Sequence, residues 1–234
     1  MRLTFLGTRG GIESRSRRHR QHSTLLIEHG GRRVLIDCGD DWLGELDALA
    51  PDAILVTHAH PDHAGGLAEG APCAVYASAT TCRALPGTVD THAIRLGSRI
   101  SIARLAVEAF PVVHSRIAPA VGYRIAGRVV YVPDVVDLRD KTIALHGIEL
   151  YIGDGARLTR PLVRTTATGR RFGHTSIAKQ LGWCARAGIP RAIFTHCGTE
   201  VVRDHAAAAK VVRALGQRLG LDASLAHDGL VVDL

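Results

Sequence analysis

Lysine is scarce, cysteine is sparse and unpaired in pattern, and no long apolar run exists; each shortage excludes something. Only Lys141, Lys179 and Lys210 stand among 29 basic side chains, so the formal charge of +7 is carried almost wholly by arginine. The five cysteines, Cys38, Cys73, Cys82, Cys184 and Cys197, are odd in number and never spaced CxxC. That argues against a disulfide framework or a zinc knuckle and for reduced thiols. No stretch reaches the roughly 20 apolar residues of a membrane helix. The opening Met1-Arg2-Leu3-Thr4-Phe5-Leu6-Gly7 is too short and strand-like for a secretory leader. A soluble cytoplasmic protein with no membrane partner is the expectation. Internal repeats and low-complexity linkers are missing as well.

What is present suits a sizeable core: 234 residues with 46% hydrophobic side chains. Short apolar runs punctuated by Gly, Asp and Pro predict strands at Leu3–Leu6, Thr24–Glu28, Arg33–Asp37, Ala53–Val56, Val75–Ala77 and Arg104–Phe110. Further strands are expected at Gly122–Ile125, Val129–Val132, Glu149–Ile152, Ala192–Thr195, Ser224–Ala226 and Leu230–Val232. His29-Gly30-Gly31 and Ala126-Gly127-Arg128 read as hairpin turns. Helices are expected at Asp41–Leu49, Ser176–Ala187 and His205–Leu219. Strands followed by helices in each half suggest an α/β fold of two sheets packed face to face with helices outside, one domain over 1–234. The densest positive stretch is Arg15, Arg17, Arg18, His19, Arg20, which is either a phosphate-contacting surface or a solvated loop.

The chemistry concentrates in Thr57-His58-Ala59-His60-Pro61-Asp62-His63-Ala64-Gly65-Gly66, directly after the buried-strand run Ala53-Ile54-Leu55-Val56. In extended chain, residues two apart point the same way, so His58 and His60 can grip one ion. Pro61 fixes a bend that carries Asp62 and His63 to a neighbouring position, suited to a second ion. Three imidazoles and a carboxylate within six positions are costly for a core and odd for a surface loop.

With its HxHxDH motif at His58-Ala59-His60-Pro61-Asp62-His63, the chain resembles the metallo-β-lactamase-fold hydrolase superfamily. Gly7-Thr8-Arg9-Gly10-Gly11 and Leu35-Ile36-Asp37-Cys38-Gly39 look like two further family turns. The resemblance implies a four-layer αββα sandwich. It also implies that His114 is the third histidine ligand, Asp134 the bridging aspartate and His196 the last ligand, each at the end of a strand-like run. His58, His60 and His114 would hold one divalent ion and Asp62, His63 and His196 the other. Zn²⁺ suits this donor set first, with Mn²⁺ and Fe²⁺ as alternatives. Two ions ~3.5–4 Å apart lower the pKa of a shared water to about 7 and clamp an oxyanion. Asp37 and Asp228 are candidates to orient ligating histidines, or else strand-end and turn aspartates.

Gly173-His174-Thr175-Ser176 precedes a helix that leads into the Ile193–His196 run. This order resembles the branch holding ribonuclease Z and a cyclic-phosphate phosphodiesterase, in which the matching histidine binds phosphate and protonates the leaving oxygen. Thr175, Ser176 and the free N–H groups of the helix start would add an anion site. The implied function is a binuclear phosphodiesterase acting on RNA, DNA or a small cyclic or nucleotide diester, with Asp62 and His174 as catalytic candidates. An ester, thioester or lactone hydrolase with the same metal centre is the alternative, and a nucleic-acid-binding protein using Arg15–Arg20 a third reading. The Gly/Pro-rich arm of ribonuclease Z and the early cysteine cluster of the phosphonate-pathway enzyme have no counterpart; His19-Arg20-Gln21-His22 stands near the latter position. His19 and His22 are expected to decorate a basic loop, and His29, His92, His146 and His205 to be surface or capping residues. Cys197 is expected in the core. His227 and Asp154 are left open between the cleft and turns, and a homodimer is left open too.

Overall fold

The computed structural model describes residues 1–234. Its strands are β1 (Arg2–Gly7), β2 (Thr24–His29), β3 (Arg32–Ile36), β4 (Ala53–Val56), β5 (Val75–Ser78), β6 (Thr91–Ile94), β7 (Arg99–Ile102) and β8 (Leu105–Val113). They continue as β9 (Val121–Ile125), β10 (Val129–Tyr131), β11 (Asp137–Leu138), β12 (Leu150–Asp154), β13 (Leu162–Thr165), β14 (Arg171–His174), β15 (Arg191–Thr195), β16 (Asp222–Leu225) and β17 (Leu230–Asp233). The α-helices are α1 (Leu46–Leu49), α2 (Pro61–Ala64), α3 (Ala79–Ala84), α4 (Lys141–Leu145), α5 (Ile177–Ala187), α6 (Thr199–Arg203) and α7 (His205–Arg218).

One sheet runs β17-β1-β2-β3-β4-β5-β6 and the other β11-β8-β9-β10-β12-β15-β16, with β7 also on β8. Alternation within each strand builds the layers. In β4, Ala53 and Leu55 face the inter-sheet core with Phe5, Ile27, Tyr123, Tyr131 and Ile152. Ile54 and Val56 face outward onto Trp42, Leu46 and Leu67. On the other sheet Val130, Tyr151 and Phe194 point out to meet Ile177, Leu181 and Cys184 of α5 and Val212 of α7. Three stacked cores make four layers, αββα, as expected. No helix is long and apolar enough to cross a membrane.

Every expected strand is present, and the two hairpins close where glycine allows a positive φ: Gly30 and Gly31 at 57° and 73° in one, Gly127 at 71° in the other. The long helices α5 and α7 match their expected spans, capped by Ser176 and Asp204. The helix expected over Asp41–Leu49 is broken. A single 3₁₀ turn at Asp40–Trp42 is separated from α1 by Gly44, whose φ of 76° no right-handed helix accepts. Sequence periodicity also missed β6, β7, β11, the isolated hairpin β13–β14 and the short helices α3, α4 and α6.

Topology fixes where chemistry can sit. β10, β12 and β15 run parallel, as do β3, β4 and β5. Asp37 follows β3, His58 follows β4, His114 follows β8 and His196 follows β15, while Asp154 ends β12. A register shift between Phe5 and Gly7 breaks the β1–β2 ladder, and there the chain leaves β1 into the Thr8–Gly11 turn.

Candidate metal centre

The motif segment leaves β4 in extended conformation, and His60 (φ −74°, ψ 149°) caps α2, whose first residue is Pro61. Pro at this position loses no hydrogen bond and presets the helical φ. His58 and His60 are brought together as their spacing required, with His58 Nε2 2.9 Å from His60 Nδ1. The turn of α2 moves Asp62 and His63 to the other side, where His63 Nε2 lies 3.6 Å from Asp62 Oδ2. Asp37, fully buried, accepts from Thr57 N at 2.7 Å, Thr57 Oγ1 at 2.9 Å and His63 Nδ1 at 2.8 Å. Its carboxylate thereby fixes the His63 tautomer.

Asp134 is the hub. Its Oδ2 lies 3.3, 3.2 and 3.1 Å from Nε2 of His58, His63 and His114, and its Oδ1 lies 2.8 Å from His196 Nδ1. His196 Nε2 is 3.1 Å from Asp62 Oδ2. His114 donates from Nδ1 to Gly173 O at 3.0 Å, which turns Nε2 inward, and His60 Nε2 meets Ser115 Oγ at 3.1 Å. All seven expected ligand residues therefore converge. Four of their buried atoms, His63 Nε2, His114 Nε2, His196 Nδ1 and Asp134 Oδ1, face one another without hydrogen-bond geometry. Buried polar atoms are otherwise almost always partnered, so a donor set of imidazole and carboxylate turned inward and unsatisfied fits metal cations. His58, His60, His114 and Asp134 form one potential ligand group, Asp62, His63 and His196 another, and Asp134, Asp154, His174 and His196 a third that overlaps both. Gly10 and Gly11 leave room for this, since a Cβ there would stand 3.0 Å from His196 Cε1 and 2.7 Å from Asp62 Oδ2.

Charges divide the imidazoles. Burial drives His58 well below the usual histidine range and His114 down to about 4. For His63 and His196 burial pulls the same way but is outweighed, by Asp62 and Asp134 for His63 and by Asp134 and Asp62 for His196, which rises to about 10. Asp134, despite burial, is held well below the carboxylate range by His114, His196 and His63. Protons thus sit where cations would compensate the carboxylates, and loading such a site releases them.

His174 joins the same cavity of about 380 Å³, which is also lined by Ile12, Arg157, Leu162 and Thr199. Its Nδ1 is 2.9 Å from Asp154 Oδ2 and 3.6 Å from Asp134 Oδ1. Burial lowers its pKa, but the Asp154 charge and hydrogen bond outweigh that and raise it. Asp154 is fully buried, accepts also from Val135 N and Ala156 N, and is the residue sequence reasoning undervalued. The available signal was an aspartate ending an apolar strand inside Gly153-Asp154-Gly155.

Several expectations are corrected. The first N–H groups of α5 itself are taken: Ile177 and Ala178 donate to Arg157 O and Leu158 O, and Lys179 to Ser176, while Thr175 N ahead of them donates to Val135 O. The anion site expected there is already filled by the chain itself. Asp228 orients no metal-site histidine; it accepts from Thr8 Oγ1 at 2.6 Å, Arg20 N at 2.6 Å and Gln21 N at 3.1 Å, pinning the basic loop. His19 is fully buried against Thr8 Oγ1 (2.7 Å) and His205 Nδ1 (2.9 Å), and His22 lies buried beside Asp41, so neither decorates a loop. His205 is correspondingly more than a surface residue. Cys197 is buried in the core, and His227 Nδ1 pairs locally with Asp228 O.

Comparison with known proteins now decides the family. The family model described as Beta-lactamase superfamily domain matches residues 32–197. The chain belongs to this superfamily. A metal-dependent hydrolase of the beta-lactamase superfamily, Tm1679, shares its fold with a TM-score of 0.61 at 13% identity, and this chain carries candidate metal-ligand groups of its own. A ribonuclease Z of Mycolicibacterium paratuberculosis is 25% identical over 244 residues, covering 83% of this chain and 85% of that one. An octanoyltransferase of Porphyromonas gingivalis is 26% identical over 211 residues, covering 79% of this chain but 40% of its own. The chain spans only 22–40% of the length of the curated relatives that it matches first. Among solved structures, a diphosphatase from the PhnP family superposes with a TM-score of 0.74 at 22% identity, covering 99% and 97% of the two chains.

Proposed function

We propose that residues 1–234 form one domain of a binuclear metal-dependent phosphodiesterase. His58, His60 and His114 would surround one ion, Asp62, His63 and His196 the other, and Asp134 would lie between. Zn²⁺ suits these donors best, with Mn²⁺ and Fe²⁺ as alternatives. The observation that carries the reading is the set of four inward-facing, unpartnered buried atoms on His63, His114, His196 and Asp134, beside His174, whose Nδ1 is taken by Asp154. When bound, such ions supply Lewis acidity and a water acidic enough to attack at neutral pH.

The chain's own residues do the rest. Asp154 holds His174 at Nδ1, which leaves Nε2 as the atom that can pass a proton to a departing oxygen. Arg157, on the cavity wall, brings positive charge to an anionic substrate. Gly10 and Gly11 keep the mouth open beside His196 and Asp62. The names of the ribonuclease Z and diphosphatase relatives both point to phosphate chemistry, which favours a nucleic acid, nucleotide or cyclic diester over an acyl substrate.

The test is elemental analysis of purified protein together with side-by-side assays on an activated phosphodiester and an activated ester. Two bound transition ions per chain and diester turnover are expected. Turnover of the ester alone, with His174 dispensable, would transfer the site to the ester, thioester or lactone hydrolases.

A further inference from the structure

Three hollows adjoin the metal centre in sequence along β14. The catalytic cavity shares His60, His114 and His174 with a second hollow of about 390 Å³, floored by Phe172 and rimmed by Ile117. That hollow shares His114, Ser115 and Arg116 with a third of about 250 Å³, walled by Arg116, Arg139, Arg170 and Arg171. Ile117 is 85% exposed, an unusual state for an isoleucine beside a half-buried phenylalanine. The Arg116 guanidinium carbon lies over the Phe172 ring, 5.6 Å from its centroid, a cation–π contact that joins the apolar step to the cationic hollow.

The charge is concentrated too, four arginines lining one small hollow. Elsewhere some arginines are tied to carboxylates, as Arg9 and Arg15 to Asp41, Arg32 to Asp52 and Arg128 to Glu149. Arg171 is also paired, 2.9 Å from Asp137. Arg116, Arg139 and Arg170 are exposed and have no acidic partner. Like charges gathered around one hollow without counter-ions repel one another, and an anion there relieves that repulsion.

We propose that a single-stranded nucleic acid runs from the metal centre across Phe172 and Ile117 and seats its next phosphate between Arg116, Arg139 and Arg170. This rests on the phosphodiesterase reading: a polymer of diesters that places one diester in the catalytic cavity supplies both a base for the apolar step and a further phosphate beyond it. The order of features is that of single-strand binders, a stacking platform followed by a cationic groove. A duplex keeps its bases stacked on each other and cannot lay one on Phe172. The hairpin is positioned for the task by Gly173, whose N–H donates to His114 O at 2.8 Å, coupling the track directly to the metal centre.

The experiment measures fluorescence anisotropy of labelled oligo(U) and oligo(dT) 12-mers and of a duplex RNA of equal length, with metal-stripped protein and varied salt. Both single strands should bind with similar affinity, since neither contact reads the sugar, and the duplex more weakly. Replacing Arg116, Arg139 and Arg170 together by alanine should weaken binding and flatten log K against log salt by about 0.7, the value for the one phosphate they share. Phe172→Leu should weaken binding roughly 5- to 150-fold at an unchanged salt slope, with Phe172→Tyr restoring it. Equal duplex and single-strand affinity, or a triple arginine variant that binds with wild-type affinity and slope, overturns the track. Hydrolysis of bis(p-nitrophenyl) phosphate by the wild-type holoenzyme tests the phosphodiesterase reading separately.

Discussion

Replacing Asp37 by asparagine changes one atom's chemistry at the base of the site and barely changes its shape. The carboxylate is fully buried and spends its oxygens on Thr57 N, Thr57 Oγ1 and His63 Nδ1. An asparagine whose oxygen stays on Thr57 N presents NH₂ to His63 Nδ1–H, donor against donor. Either a buried donor goes unsatisfied, at about 1–3 kcal/mol, or the His63 proton moves to Nε2, the atom 3.2 Å from Asp134 Oδ2. The second outcome occupies the lone pair that a metal needs. Loss of such a carboxylate partner weakens metal binding about 10- to 100-fold, or about 1.4–2.7 kcal/mol. The loss should fall chiefly on the ion held by Asp62, His63 and His196, because His60 and His114 are oriented by Ser115 and Gly173, and His58 reaches Asp37 only through the Thr57 hydroxyl. Titration against a chromophoric chelator resolves the two sites, and one step should weaken while the other stays. Two unchanged steps, or two steps moving together, would refute the argument.

Asp134→Ala should abolish both metal retention and turnover, whereas His174→Ala should lose about 10²–10⁴-fold in kcat with metal content unchanged by elemental analysis; full activity of the His174 variant on a diester rejects its assignment. Gly39→Ala would place a Cβ 2.2 Å from Asp62 O, so backbone must shift, at a cost of about 1–3 kcal/mol read as a lower urea midpoint. His19 is driven down to about 3, chiefly by burial and then by His205 and His227. Above pH 6.5 neither folded nor unfolded His19 is protonated; between 6.5 and about 3 only the unfolded chain takes up the proton, so stability falls as pH falls through that window. His19→Asn should therefore flatten the loss of unfolding free energy between pH 7.5 and 5 by about 2 kcal/mol relative to wild type, and identical slopes in urea melts would remove His19 as the cause.

Legibility in the sequence followed how local each feature is. His58 to His63 could be read because strand period and a proline-started turn act within six residues. His114, Asp134 and His196 came from resemblance and from lying after apolar runs, since nothing in their own neighbourhoods marks a shared ion. Asp154 was ambiguous for a physical reason: an aspartate between glycines is equally a turn, and only the fold shows that His174 crosses to meet it. The anion site expected at α5 failed because tertiary partners, Arg157 O and Leu158 O, reach its first N–H groups. The hairpin β13–β14 escaped notice because none of its residues is buried and its strands join neither large sheet, so no core imprints alternation on them.

The backbone shows how the two sheets are made to meet at one point. Asp37 and His196, immediately after β3 and after β15, both take left-handed conformations, with φ of 61° and 53°. Outside glycine such a residue costs of order 1–3 kcal/mol and persists only where its surroundings over-determine it. Here they do. Asp37 N donates to Leu55 O and its side chain to nothing, accepting three times, while His196 N donates to Ser23 Oγ at 2.7 Å. Each reversal of hand turns a side chain off the end of its strand toward Asp134, directly for His196 and through His63 for Asp37. Strain and unpartnered polar atoms thus collect at the contact between sheets, offset by the apolar core that holds those sheets at fixed spacing. The inward-facing donors gathered at this strained contact between two cored layers are what a cation would satisfy.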